Sequence, residues 1–123
     1  MTTSRQHTHA TVTELLAAYS RAASAHGRAT LDGNSKQANR KFHELNSAYA
    51  ELRRRGDSEL VHLEALLDDA DPAVRGWAGA HLLLVSPSQA EAALEELVNM
   101  RGPIGFSARM TLEQWRQGQL RFP

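Results

Sequence analysis

Apolar residues recur along the chain at intervals of three and four positions, which is the spacing of one face of an α-helix. Strand-like alternation of apolar and polar residues is absent. The clearest apolar stripe lies over residues 35–55 and consists of Ala38, Phe42, Leu45, Tyr49 and Leu52. The pattern predicts an all-α protein.

Polar caps, prolines and glycines indicate where the helices begin and end. Thr11 and Glu14 have the spacing of a capping box, and His26-Gly27 predicts an end to the first helix near Ala25, followed by a loop over 27–34. Asp71-Pro72 and Ser86-Pro87 are start signals, because proline fits the first helical turn. The six predicted helices run from Thr11 to about Ala25 and over about 35–55, 58–69, 72–85, 87–100 and 104–117.

Two helix pairs repeat one another. Leu63-x-x-Leu66-Leu67 matches Leu94-x-x-Leu97-Val98 at an offset of 31 residues, and the helix after each follows at an offset of 30. Similar helix pairs at a fixed period are typical of an α-solenoid. A less regular first pair fits the capping role of terminal repeats.

The segment Leu66-Leu67-Asp68-Asp69-Ala70-Asp71-Pro72-Ala73-Val74-Arg75-Gly76-Trp77-Ala78-Gly79-Ala80-His81-Leu82 resembles the HEAT-repeat signature. The whole chain is similar to an uncharacterised family of small bacterial HEAT-like proteins. The stretches that carry this similarity are Asn34-Ser35-Lys36-Gln37-Ala38-Asn39-Arg40, Val74-Arg75 with its small-residue run, and Leu112-x-x-Trp115-x-x-Gly118.

The resemblance implies a short HEAT-like, armadillo-type α-solenoid of about three helical hairpins, in six helices. It also implies that Arg75 pairs with an acidic residue of a neighbouring repeat, although Gly105 interrupts that ladder in the last repeat. The length of 123 residues fits one domain. We therefore expect a flexible N-terminal tail over 1–10 and a single HEAT-like domain over 11–123.

The amino-acid composition argues against several classes of function. There is no cysteine, so disulfides, thiolate nucleophiles and thiolate metal sites are excluded. The 14 basic and 14 acidic residues cancel, which argues against a general nucleic-acid binder. Residues 1–56 hold nine basic and four acidic residues, whereas 57–123 hold five and ten. Residues 1–10 lack the apolar core of a signal peptide and no run is long enough to span a membrane, so we expect a cytoplasmic protein.

Candidate catalytic groups do not assemble in the sequence. The six histidines are spread over the N-terminal tail and four helices or their ends, without the spacing of a zinc motif. No nucleophile and base stand in a recognisable set, and the glycines form no phosphate loop. We therefore predict no enzyme activity, no catalytic residues, no bound metal and no cofactor.

The best binding candidates lie on the second predicted helix. Lys36, Asn39, Arg40 and His43 share one flank, because spacings of three, four and seven residues stay together on a helix. In a HEAT-like stack Arg75 would join them on the inner face. The sequence thus predicts a non-catalytic protein–protein interaction module that uses these five residues, with an acidic partner surface as the expected partner. A merely solvated helix face is the plain alternative, and Trp77 is either a packing residue or a partner contact.

Other functions remain open at this point. A resemblance to larger HEAT-like glycosylases would imply nucleic-acid binding through the basic N-terminal face. The neutral net charge argues against this function. Small relatives of this general shape imply an immunity or antitoxin-type inhibitor. Relatives of phycobilin-lyase type imply a small-molecule role, which would require an apolar pocket.

Overall fold

The computed structural model describes residues 7–122. Within them every regular element is a helix and there is no strand, as the hydrophobic pattern predicts. The elements are α1 (Val12–Leu31), α2 (Ser35–Arg55), α3 (Asp57–Leu60), a 3₁₀ helix (Val61–Asp68), α4 (Pro72–Leu82), α5 (Pro87–Glu95) and α6 (Pro103–Arg116).

The chain divides into two compact units, the first ending at Leu63 and the second beginning at Glu64. The first is an α1–α2 hairpin with α3 packed on α2. In the second, α4, α5 and α6 pack against one another. The all-α class is confirmed, whereas the stacking of hairpins into a solenoid and the single domain over 11–123 stay predictions.

Both long helices contribute to the core of the first unit, and they pack against each other. The buried apolar residues are Leu15, Tyr19, Ala22, Ala23 and Ala29 of α1, Leu45, Ala48, Tyr49 and Leu52 of α2, and Leu60 and Leu63. The predicted capping box at Thr11 and Glu14 is present, with both reciprocal hydrogen bonds formed. Burial raises the pKa of the Tyr19 hydroxyl well above its usual range. The hairpin therefore offers a firm support for the exposed face of α2.

The predicted end of the first helix is wrong. Helix α1 continues through His26-Gly27 to Leu31, and the chain turns only at Gly33, whose φ is +72°. The extra turn buries Ala29 and lets the Thr30 hydroxyl donate to the His26 carbonyl at 2.9 Å. A glycine inside a helix costs only about 0.5–1 kcal/mol, so this burial outweighs it.

The predicted flexible tail has two parts. Residues 1–6 lie outside the described residues. His7 to Ala10 form a turn against the first unit, where the Arg55 guanidinium donates to the carbonyl oxygens of His7 and Ala10 at 3.2 and 2.6 Å. The end of α2 thus holds the residues just before α1.

The predicted helix over 58–69 is also corrected. The chain forms one α-helical turn, α3, and then the 3₁₀ helix over Val61–Asp68. Leu60 and Leu63 are buried and Leu66 is half-buried. Because a 3₁₀ helix has three residues per turn, Leu63 and Leu66 lie on the same side of it.

In the second unit, Asp71 caps α4 by accepting from the Ala73 amide at 2.9 Å, as predicted. Ser86-Pro87 begins α5, but the Ser86 hydroxyl bonds the Glu64 carboxylate instead of capping the helix. Helix α5 ends at Glu95, short of the predicted residue 100. Beyond it the backbone amides of Leu97 and Met100 donate to carbonyl groups three residues earlier, so the α-helical pattern of bonds four residues apart stops.

Small residues allow α4 and α5 to approach closely. A Cβ added at Gly79 would lie 3.0 Å from Leu94 Cγ, and one added at Gly76 would lie 3.6 Å from Leu97 Cδ1. The distance at Gly79 is tighter than an ordinary contact, so glycine allows the close approach there, whereas the distance at Gly76 leaves room for a Cβ. Gly105, near the start of α6, is more constrained still, because its Cβ would lie 1.8 Å from the Met100 carbonyl oxygen.

Candidate functional site

The candidate site is the amino-terminal half of α2. Its first turn is fixed by Asn34, whose side-chain oxygen accepts from the Gln37 amide at 3.1 Å. From that start the helix exposes Lys36, Asn39, Arg40 and His43 together. We call these four side chains the α2 stripe. The structure therefore brings four of the five predicted binding residues onto one exposed helix face.

Arg40 is the most strongly oriented member of the α2 stripe. Its Nε donates to Gln37 Oε1 at 3.0 Å, and its Nη2 bonds the same oxygen. The contact fixes the direction of the guanidinium while the side chain remains exposed. An arginine held in this way loses less side-chain entropy on binding than a free one.

The neighbouring charges leave the α2 stripe positive. Lys41 pairs with Glu44 at 2.9 Å, so these two side chains neutralise each other beside the stripe. Lys36 and Arg40 remain as its exposed cations, and the stripe contains no carboxylate. The His43 ring packs edge-on against Phe42, with ring centroids 5.5 Å apart. The result is a surface of two cations, one amide and one imidazole.

The fifth predicted residue, Arg75, lies on α4 in the second unit. Its Nη1 donates to the carbonyl oxygens of Asp69 and Ala70 at 2.7 and 3.2 Å. Within residues 7–122 no carboxylate pairs with it, although the family resemblance implies such a pair. Arg75 therefore secures the turn before α4, and its membership of a common binding surface stays a prediction.

Removing the hydrogen-bond donors of the Arg75 side chain is expected to weaken the turn before α4. Arg75→Met keeps most of the apolar stem but leaves two carbonyl groups without their partner, which costs about 1–2 kcal/mol of unfolding free energy. Arg101→Met is the matched control, since Arg101 is exposed and makes no such contact with any residue over 7–122. Chemical denaturation of both variants measures the difference, and equal stability would contradict the assigned role.

An ion cluster around the buried Glu51 anchors the carboxyl-terminal half of α2. Glu51 is only 3 % exposed, and its carboxylate accepts from Arg54 at 2.6 Å and from Arg55 at 2.7 Å. Hydrogen bonds from these two guanidinium groups lower the Glu51 pKa from 4.5 to about 2, against the opposing effect of burial. Because Arg55 also holds the His7 and Ala10 carbonyls, the cluster joins the end of α2 to the start of α1.

The second unit carries an aromatic cluster. The buried His81 ring lies 5.7 Å from Trp77 and 4.7 Å from Phe122, measured between ring centroids. Trp77 is half-buried, so it packs in its own unit and still reaches the surface. Trp115, predicted to be buried, is half-buried.

A shallow groove of about 440 Å³ lies between α5 and α6. Arg116 crosses its rim, donating to Glu91 at 2.9 Å and to Glu95 at 2.5 Å. Five of its seven lining residues are charged or polar; the lining residues are Glu95, Val98, Arg109, Leu112, Glu113, Arg116 and Gln117. The groove is thus more polar than the apolar pocket that a small-molecule role would require.

The described part of the chain holds neither a cluster of metal-binding side chains nor a helix suited to cross a membrane. No group of three or more histidine or acidic side chains there is placed to hold a metal ion. No helix over residues 7–122 has the length and apolar character that crossing a membrane demands.

Comparison with known proteins decides the family. A family model described as a domain of unknown function (DUF2019) matches residues 13–115. The chain belongs to this family. A search of curated proteins gave no significant match. The family assignment confirms the predicted membership of an uncharacterised family and supplies no activity.

One solved structure is similar over nearly the whole length. It is the crystal structure of the protein RPA1889 from Rhodopseudomonas palustris CGA009, which is 24 % identical in sequence. The alignment covers 95 % of this chain and 98 % of that one, with a TM-score of 0.86. At this identity the likeness shows a shared helical fold.

Sequence reasoning missed two sets of residues. Glu51 stands three and four positions before Arg54 and Arg55, which is ion-pair spacing on a helix, and that signal was available. Phe106 and Met110 lie off the apolar stripe of the last helix, so their exposure was also visible in the pattern. What the sequence does not reveal is that Glu51 is buried, because burial depends on tertiary packing.

Proposed function

We propose that this protein is a non-catalytic interaction module that binds an acidic surface of a partner protein through the α2 stripe. The observation that carries the proposal is the joint exposure of Lys36, Asn39, Arg40 and His43 on one face of a capped helix. Groups of this kind recognise carboxylates through charge-assisted hydrogen bonds.

The rigidity of the support favours binding over mere solvation. The opposite face of α2 is packed into the core of the first unit, and the Glu51 cluster fixes the far end of the helix. Arg40 is already oriented by Gln37. A preorganised cation loses little conformational entropy on contact, so the free energy of contact is retained as affinity.

Charge favours a protein partner over a nucleic acid. The first unit holds nine basic and six acidic residues through Leu63, so its excess is three charges. Two exposed cations on the α2 stripe match a small carboxylate cluster. A nucleic-acid footprint usually neutralises several phosphates, and each one steepens the salt dependence of binding by about 0.9 in a log–log plot.

Charge reversal at Arg40 is expected to abolish most partner binding. The test is capture of partners from native extract on the immobilised protein at low and moderate salt, with identification by mass spectrometry. Arg40→Glu should reduce recovery of a stoichiometric protein at least about tenfold, because like charges across an interface cost over 1 kcal/mol. Arg21→Glu is the matched control, being an exposed arginine on α1.

The outcomes separate the alternatives. Equal loss in Arg40→Glu and Arg21→Glu would indicate general charge attraction and would contradict the α2 stripe. Recovery of nucleic acid that disappears at moderate salt would replace the proposal with nucleic-acid binding. Arg75 is unsuitable for reversal here, because its loss also disturbs the turn at Asp69 and Ala70.

A further inference from the structure

Helix α6 exposes an apolar pair on the second unit. Phe106 is 57 % exposed and Met110 is 38 % exposed. They stand one helical turn apart and away from the buried face formed by Gly105, Ala108 and Leu112. An aromatic residue beside methionine is a composition enriched in protein interfaces.

Charged groups of opposite sign flank this pair on the same helix. Arg109 and Glu113 are both exposed, and the spacings from Phe106 of three and seven residues keep them on its side of the helix. Arg109 donates one Nη1 hydrogen bond to the Val98 carbonyl at 2.6 Å. Within residues 7–122 the Glu113 carboxylate has no ion pair or hydrogen bond. Glu113 is therefore available to a group outside this chain.

We propose that this face of α6 binds a second copy of the chain, with the two α6 helices antiparallel about a twofold axis level with Thr111. This register is the one that places opposite charges face to face. Arg109 precedes Thr111 by two residues and Glu113 follows it by two, so each Arg109 faces the partner's Glu113. Phe106 precedes it by five and Arg116 follows it by five, so each ring faces the partner's Arg116.

The charge order selects a second copy as the occupant. In an antiparallel pair of α6 helices, Arg109 of each copy faces Glu113 of the other, which gives two ion pairs. In a parallel pair in the same register, Arg109 would face Arg109 and Glu113 would face Glu113. A guanidinium stacked on a ring keeps its in-plane N–H groups for hydrogen bonds. Arg116 can therefore cover Phe106 of the second copy while it remains bound to Glu91 and Glu95.

This surface does not depend on the α2 stripe. It lies entirely on the second unit, while the stripe lies on the first. Self-association and partner capture can thus be lost separately, by different substitutions. An isologous contact of this kind closes as a dimer and does not continue into a filament.

The test is sedimentation equilibrium of the full chain over a wide range of concentration. The unsubstituted protein should show a monomer–dimer equilibrium. Arg109→Glu and Glu113→Arg should each raise the dissociation constant at least about tenfold, because each places like charges face to face. An equimolar mixture of the two variants should restore dimers, since every facing pair is then of opposite charge.

Two further variants complete the design. Phe106→Ala should also weaken the dimer, whereas Leu84→Ala should not, although Leu84 is 61 % exposed in the same unit. Circular dichroism confirms that each variant is folded. The proposal is overturned if the unsubstituted protein stays monomeric throughout, if either charge variant dimerises unchanged, or if folded Arg109→Glu and Glu113→Arg chains fail to associate with each other.

Discussion

Replacing Gly105 with alanine is expected to destabilise the protein by about 3 kcal/mol or more, the upper end of what overpacking costs. The new Cβ would meet the Met100 carbonyl oxygen at 1.8 Å and the carbonyl carbon at 2.8 Å. Both are backbone atoms, so no side-chain rotation relieves the contact. The start of α6 would have to move away from the turn before it.

Gly76→Ala is the matched control for this substitution. Gly76 also lies inside a helix, but its added Cβ would lie 3.6 Å from the flexible end of Leu97, an ordinary contact distance. Alanine there should leave stability unchanged or raise it by up to about 1 kcal/mol, because alanine suits a helix better than glycine. Urea denaturation of both variants makes the comparison, and similar stability of the two would refute the packing argument.

Replacing Glu51 with glutamine is expected to lower the free energy of unfolding by about 2 kcal/mol at neutral pH, because the hydrogen bonds from Arg54 and Arg55 would then reach a neutral acceptor. The direction of the Glu51 pKa shift determines how the stability changes with pH. The Glu51 pKa falls from 4.5 to about 2 on folding, so its stabilisation is complete above pH 4.5 and is lost as the pH falls toward 2.

The pH profile provides the check on Glu51. The unsubstituted protein should lose stability between about pH 4.5 and 2, whereas the Glu51→Gln variant should lose less over that interval. Glu44→Gln serves as the control, because Glu44 forms an exposed pair with Lys41 and such pairs contribute at most about 1 kcal/mol. Parallel pH profiles for the Glu51 variant and the unsubstituted chain would show that this carboxylate does not stabilise the fold.

Local signals in the sequence predicted much of the fold. The capping box at Thr11 and the Asp71-Pro72 start act within one helical turn, and both are present. His26-Gly27 failed as a stop signal because its outcome depends on what the following residues bury. Ala29 is buried in the folded protein, and no local pattern discloses that.

The candidate site was predictable to the extent that it lies on one helix. Lys36, Asn39, Arg40 and His43 share a face by spacing alone, and the structure exposes all four. Arg75 was assigned by its position in a repeat, and its bonds to Asp69 and Ala70 depend on the turn geometry of its own unit. The period of a helix determines which residues share a face. The contacts within a turn depend on its backbone conformation, which the sequence does not specify.

The most direct test of the central claim is photo-crosslinking at the α2 stripe inside the native cell. A photoreactive residue in place of Asn39 lies between Lys36 and His43 on the exposed face, and one in place of Arg21 lies on the exposed side of α1. We predict one specific protein adduct from position 39 and none from position 21, with the adduct lost when Arg40→Glu is added. The same adduct from both positions, or none from position 39 in a folded protein, would contradict binding through the α2 stripe.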